Sequence, residues 1–137
     1  MNSKQKGDIT ELECILAFKK RNFTVSIPYG EDARYDFIAD VNGRLLRIQS
    51  KTSISNDEGD TFSFSTRSCN ASQGSRKYNK SEIDYFATIY DGDCYLIPVE
   101  VCGSVKKLRK TTVKNGQDKN ISWAKDYEID KVLCNII

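Results

Sequence analysis

From Asp8 to about Arg21 the apolar residues Ile9, Leu12, Ile15, Leu16 and Phe18 recur mostly three or four positions apart, which predicts an amphipathic helix. Asp8 with Glu11 three residues on has the form of a capping box, and Lys19, Lys20 and Arg21 put cations where the helix dipole favours them. The period then drops to two. Phe23, Val25 and Ile27 alternate with Thr24 and Ser26, predicting a strand over 22–29 that ends at Pro28 and Gly30. Hydrophobic runs on either side of Asn42-Gly43 predict a hairpin, because that dipeptide accepts the positive φ of a tight turn. Thr61 to Thr66 alternates again. The near-continuous apolar runs 85–90 and 94–99, joined at Asp91-Gly92-Asp93, read as strands in the interior of a sheet, with Pro98 near an end. Residues 123–131 predict a short helix or loop that packs Trp123, Tyr127 and Ile129 on the core.

The hairpin carries the chemistry. In its second strand Leu46, Ile48 and Ser50 point one way, while Arg47, Gln49 and Lys51 point the other. Asp36, Ile38 and Asp40 share a face of the first strand, and Asp36 is far enough from the turn to meet Gln49 or Lys51. A carboxylate, an amide and an ammonium therefore converge at one end of a small sheet. Glu11 has two readings, as the partner of Asp8 in the cap or as an outer carboxylate that orients water at the Asp36 cluster.

Two polar segments complete the pattern. Arg67 to Lys80 reads as a loop with four basic side chains, one tyrosine and no acid, a charge excess suited to phosphate. Val105 to Lys110 is a basic run that continues through the turn-rich 114–120, and it suggests a second DNA-contacting patch.

The 137 residues suffice for one domain, 1–137. Histidine is absent and the five cysteines form no C-x-x-C pair, which excludes imidazole-dependent hydrolases and gives no sign of a disulfide framework or zinc knuckle. Acid–base chemistry falls to carboxylates, lysine, tyrosine or a metal. The net charge of +2 identifies no partner by itself. With neither a secretory signal nor a spanning segment, the expectation is a cytoplasmic protein without a membrane partner.

A helix carrying Glu11, then Asp36 in Arg-Tyr-Asp-Phe-Ile, then Arg-Ile-Gln-Ser-Lys-Thr with Lys51, resembles the PD-(D/E)-x-K nuclease superfamily. The match is nearest to the branch that includes bacterial group I intron-encoded homing endonucleases, where Q-x-K replaces E-x-K. Asp84-Tyr85-Phe86-Ala87, the run 94–99 and Ala124 to Glu128 resemble that branch too. Tyr35 stands where the superfamily usually has proline.

The resemblance implies an α/β fold with a restriction-endonuclease-like core, a central mixed β-sheet flanked by helices, and Mg²⁺-dependent, site-specific cleavage of double-stranded DNA, with Mn²⁺ as a substitute. It implies Glu11, Asp36, Gln49 and Lys51 as catalytic residues, and Asp36, Gln49 and the Ser50 carbonyl as metal ligands. Lys51 would position the attacking water or stabilise charge on phosphorus. Arg34 and Arg47 are candidate phosphate clamps. Arg67 and Arg76 are candidates for base contacts, with Lys77, Tyr78 and Lys80 beside them and Lys106, Lys107, Arg109 and Lys110 along the backbone. One site cuts one strand, so a double-strand break calls for a homodimer or homotetramer. A Holliday-junction resolvase-like enzyme and a catalytically silent DNA-binding module are the alternatives.

Overall fold

The computed structural model describes residues 1–70, 74–111 and 121–137, with residues 69 and 70 described in their backbone only. The expected turn-rich segment 114–120 lies outside the described residues. Helix α1 spans Ser3–Lys20, and β1 (Thr24–Ser26), β2 (Phe37–Val41) and β3 (Arg44–Ser50) follow. Next come β4 (Ile54–Ser55), β5 (Thr61–Ser65), β6 (Arg67–Asn70), β7 (Gly74–Lys77), β8 (Tyr85–Tyr90), β9 (Asp93–Pro98) and β10 (Val105–Arg109). Two 3₁₀ turns, Val99–Val101 and Ala124–Tyr127, and helix α2 (Ile129–Cys134) complete the described elements.

The central sheet has the order β1-β2-β3-β8-β9 and is mixed as expected, because β3 runs parallel to β8 while its other pairs are antiparallel. Asn42 and Gly43 both have positive φ, 54° and 91°, so the β2–β3 turn takes the form that its dipeptide favours. Phe37, Ala39, Val41, Leu46 and Ile48 turn one face of that hairpin onto α1 and α2, where Cys14, Phe18, Ile129, Val132 and Leu133 meet them. Phe18 and Phe37 pack edge to face at 5.7 Å. On the other side Phe86, Tyr95 and Ile97 are covered by a three-stranded sheet, β10-β5-β4, through Phe62, Phe64 and Leu108. Strands β8 and β9 are thus buried on both faces, whereas β2 and β3 leave Ile38, Asp40, Arg47 and Gln49 half-buried on theirs.

Four expectations are corrected. Helix α1 starts well before Asp8: Asn2 caps it by accepting from the Gln5 amide at 2.9 Å, and Gln5 accepts from the Asn2 amide at 3.0 Å. Asn2 and Gln5 supply a complete box with a compatible run behind it, so Asp8 and Glu11 do not cap. The buried stripe is Thr10, Cys14 and Phe18, while Ile9, Leu12 and Leu16 are exposed. The first strand is only three residues long, with Asn22 at φ 64° before it. Finally, Arg67–Asn70 and Gly74–Lys77 form a two-stranded antiparallel ribbon where a loop is expected, with Arg67 opposite Lys77 and Ser68 opposite Arg76. The side chains of β7 are all exposed, so the ribbon is held by backbone pairing and has no apolar alternation to announce it.

Candidate functional site

Asp36 sits one residue before β2, and its amide donates to the Ile48 carbonyl at 2.7 Å, extending the hairpin register to its open end. The Ser50 amide and hydroxyl both donate to Asp36 Oδ2, at 2.8 and 2.9 Å. On the other side the Lys51 amide donates to the Ala87 carbonyl at 2.8 Å. The Ser50–Lys51 link is therefore pinned between β2 and β8, and a pinned backbone holds attached side chains more closely than a loop does. The Gln49 amide nitrogen lies 3.5 Å from the Ser50 carbonyl oxygen, so the three expected metal donors, Asp36, Gln49 and Ser50, are neighbours.

Helix α1 brings in the second carboxylate. The Thr10 hydroxyl donates to Lys6 O at 3.0 Å and meets the Thr52 hydroxyl at 3.1 Å. This contact ties the helix to the chain just beyond β3 and places Glu11 at the site. Burial raises the pKa of Glu11, and the facing Asp36 raises it further through repulsion and a side-chain hydrogen bond. Two carboxylates held together in this way repel unless a proton or a cation lies between them.

Lys51 closes the site. Its ammonium donates to the main-chain carbonyl of Arg67 at 3.0 Å and lies 5.1 Å from the centre of the Tyr78 ring. Burial lowers its pKa; Asp36 opposes that shift and the Arg34 guanidinium adds to it.

The donors suit a hard divalent cation. Among the described residues no group of three or more His, Cys, Asp or Glu could hold a metal. What the site offers instead is one carboxylate with its second oxygen braced by Ser50, a peptide carbonyl, a side-chain amide and the Glu11 carboxylate. All are oxygen donors of the kind that Mg²⁺ takes.

The basic residues divide into two groups. Arg47 is taken up by the fold: its guanidinium and amide donate to both oxygens of Asp84 at 2.8–3.1 Å, and its remaining donors reach Ser81 O and Lys80 O. The contact raises the pKa of Arg47, so a free phosphate clamp is not what the structure presents. Arg34 donates to Glu82, Ser68 Oγ and Lys77 O, and its guanidinium stacks 3.8 Å from the Tyr78 ring centre. Tyr78, expected on a DNA-facing loop, is only 7% exposed because it fills the core against Phe86. Arg67 reaches across its ribbon to Ser75.

Glu82 also pairs with Arg76 at 2.8 Å, so an acid just beyond the segment offsets part of the charge excess read from the sequence. Lys77 and Lys80 are exposed, with Lys80 3.9 Å from Glu100.

The second basic run is the edge strand β10 with Leu108 buried. Lys106 donates to Ser122, Arg109 to Thr111 O, and Lys110 lies 3.6 Å from Asp91, while Lys107 points outward. Glu82, Thr10 and Thr52 escape a reading by motif, and Asp84 enters only within the Asp84 to Ala87 resemblance, without its pairing to Arg47. Both acids follow closely on a basic segment, which is the signal the sequence gives of their pairing.

The family described as PD-(D/E)XK endonuclease matches residues 1–130. The fold is similar to that of a bacterial homing endonuclease, I-Ssp6803I, with a TM-score of 0.76 and 25% identity, over 98% of this chain and 93% of that one. No curated protein matches the chain. Among the described residues, no helix is long and apolar enough to cross a membrane.

Proposed function

The chain belongs to the PD-(D/E)XK endonuclease family and is a DNA endonuclease, and from that premise we propose that it is a Mg²⁺-dependent, homing-type enzyme that cuts duplex DNA at a discrete sequence. The observation that carries this reading is the Asp36 carboxylate, braced by two hydrogen bonds from Ser50 and faced by Glu11. Asp36, Gln49 and the Ser50 carbonyl would hold the cation. When bound, Mg²⁺ or its substitute Mn²⁺ supplies Lewis-acid stabilisation of charge at the scissile phosphate.

The residues supply the rest. Lys51, poised beside the cluster, positions the attacking water or steadies charge on phosphorus. Glu11 orients water from the helix side. A two-stranded ribbon is one of the few elements that fits the major groove. Arg67 and Arg76 on that ribbon are suited to base edges, and Lys77, Lys80 and Lys107 to phosphate. One site per chain cuts one strand, so the active species is a homodimer or homotetramer, working in the cytoplasm.

Cleavage of supercoiled plasmid, a mixed linear library and a four-way junction, with Mg²⁺, Mn²⁺ or EDTA, tests the reading alongside Lys51→Ala. Metal-dependent cutting of a discrete linear sequence that the substitution abolishes is the expected result. Cutting of the junction alone, or salt-dependent binding with no cutting, would overturn it.

A further inference from the structure

Lys51 is held at the root of the ribbon, by both of its strands. The carbonyl it donates to belongs to Arg67, the first residue of β6, and the ring 5.1 Å away is Tyr78, which directly follows β7. The same ring is stacked by Arg34, whose guanidinium also donates to Ser68 in β6, to the Lys77 carbonyl in β7 and to Glu82. Arg34 is two residues from Asp36 on a short connection into β2. The ribbon's root, the Lys51 ammonium and the strand bearing Asp36 thus share one buried junction, with Arg34 and Glu82 side chains each 15% exposed. Guanidinium stacking and a fork of hydrogen bonds define an orientation as well as an energy.

We propose that Tyr78, clamped by Arg34, is a positioning residue that makes the ribbon and Lys51 one mechanical unit, so that seating the ribbon on duplex DNA sets the lysine for cutting. This rests on the reading above that Lys51 acts in cleavage and the ribbon meets DNA. Under it, Tyr78 contributes to the rate of the cutting step and little to affinity, because its ring touches Lys51 and Arg34 rather than solvent. A displacement of about 1 Å in a reacting group costs on the order of 100-fold in rate.

Two measurements on the full chain test it. In metal-free protein, acylation by acetic anhydride read by mass spectrometry, with exposed Lys4 as internal reference, reports how guarded Lys51 is. Tyr78→Leu is expected to label Lys51 severalfold faster than the wild type, and Tyr78→Phe, which restores the ring, to return it to the protected rate. In single-turnover cleavage, Tyr78→Leu is expected to lower the maximal rate at least about tenfold with the DNA Kd within about threefold, and Tyr78→Phe to rescue the rate. Arg34→Lys keeps the charge but loses the fork. It is expected to show the same split, and it serves should the leucine variant melt below the assay temperature. Unchanged Lys51 labelling, or rate and affinity falling together, overturns the coupling while leaving the nuclease reading intact. A wild-type chain that cuts no DNA removes that reading and the coupling with it.

Discussion

The Glu11 side chain on α1 faces the Asp36 carboxylate at the open end of the β2–β3 hairpin, and burial together with that neighbour raises the pKa of Glu11. Helix α1 makes no use of Glu11 as a cap, since Asn2 and Gln5 close its N-terminus. The carboxylate is therefore maintained against its own repulsion, as expected where function rather than stability sets the residue. Glu11→Gln should raise the thermal midpoint of the metal-free chain and lower metal-dependent cleavage about tenfold or more. Calorimetry and single-turnover cleavage on one preparation check it; a lowered midpoint with full activity would mean that Glu11 serves the fold.

Arg47 and Asp84 are expected to show in the acid stability of the chain. Burial alone would push Asp84 up, but side-chain and backbone hydrogen bonds from Arg47 outweigh it and hold its pKa below the ordinary aspartate value of 3.8. The folded pKa being the lower one, the stabilisation is full above the ordinary value and is lost as pH falls through the depressed one. Asp84→Asn should flatten that part of the curve and cost about 1–2 kcal/mol near neutral pH, after allowing for partial exposure. Urea unfolding between pH 2 and pH 7 measures both.

Much of this site is legible in the sequence because it rests on local rules. Asn42-Gly43 announces its turn, period-two alternation fixes which way Arg47 and Gln49 point, and the register then carries Asp36 to the end of the strand pair. The ribbon is not legible, since Arg67–Asn70 and Gly74–Lys77 pair through their backbones and the β7 side chains are all exposed. The rotation of α1 is hidden as well. Ile9, Leu12 and Leu16 out-score Thr10 and Cys14 in hydrophobicity, yet the Thr10–Thr52 contact and the packing of Cys14 and Phe18 against the sheet select the other stripe. Long-range ion pairs such as Arg34–Glu82, 48 residues apart, leave no periodic trace.

The ribbon's lysine should report itself through salt. Lys77 is exposed on β7 opposite Arg67. If it neutralises one phosphate, Lys77→Ala lowers the slope of log K against log salt by about 0.9 and weakens all duplex sequences alike. Arg76→Ala, on the other face of the ribbon, should instead narrow the gap between target and random DNA. Fluorescence anisotropy from low to moderate salt separates the two.

Gln49 is the sharpest test of the metal site. Its amide head lies 3.5 Å from the Ser50 carbonyl, in register with Phe86 on β8, so a carboxylate of the same length enters the same space. An amide oxygen would ligate without charge, so under the proposed reading the wild-type site would lean on Asp36 and Glu11 for neutralisation. Because a cation bound only by the folded chain stabilises it, by about 2.7 kcal/mol at a concentration 100 times its Kd, the thermal midpoint follows binding without reference to cleavage. Titration with Mg²⁺ should raise the midpoint of the wild type, should do so at lower concentration in Gln49→Glu, and should leave Asp36→Asn unmoved. With a third carboxylate and no added metal, Gln49→Glu should also melt earlier than the wild type, since the repulsion already present between Glu11 and Asp36 gains a member. A Gln49→Glu chain that binds Mg²⁺ no more tightly and melts no earlier would show that the amide faces away from the cation, leaving Asp36 and the Ser50 carbonyl of the proposed ligands.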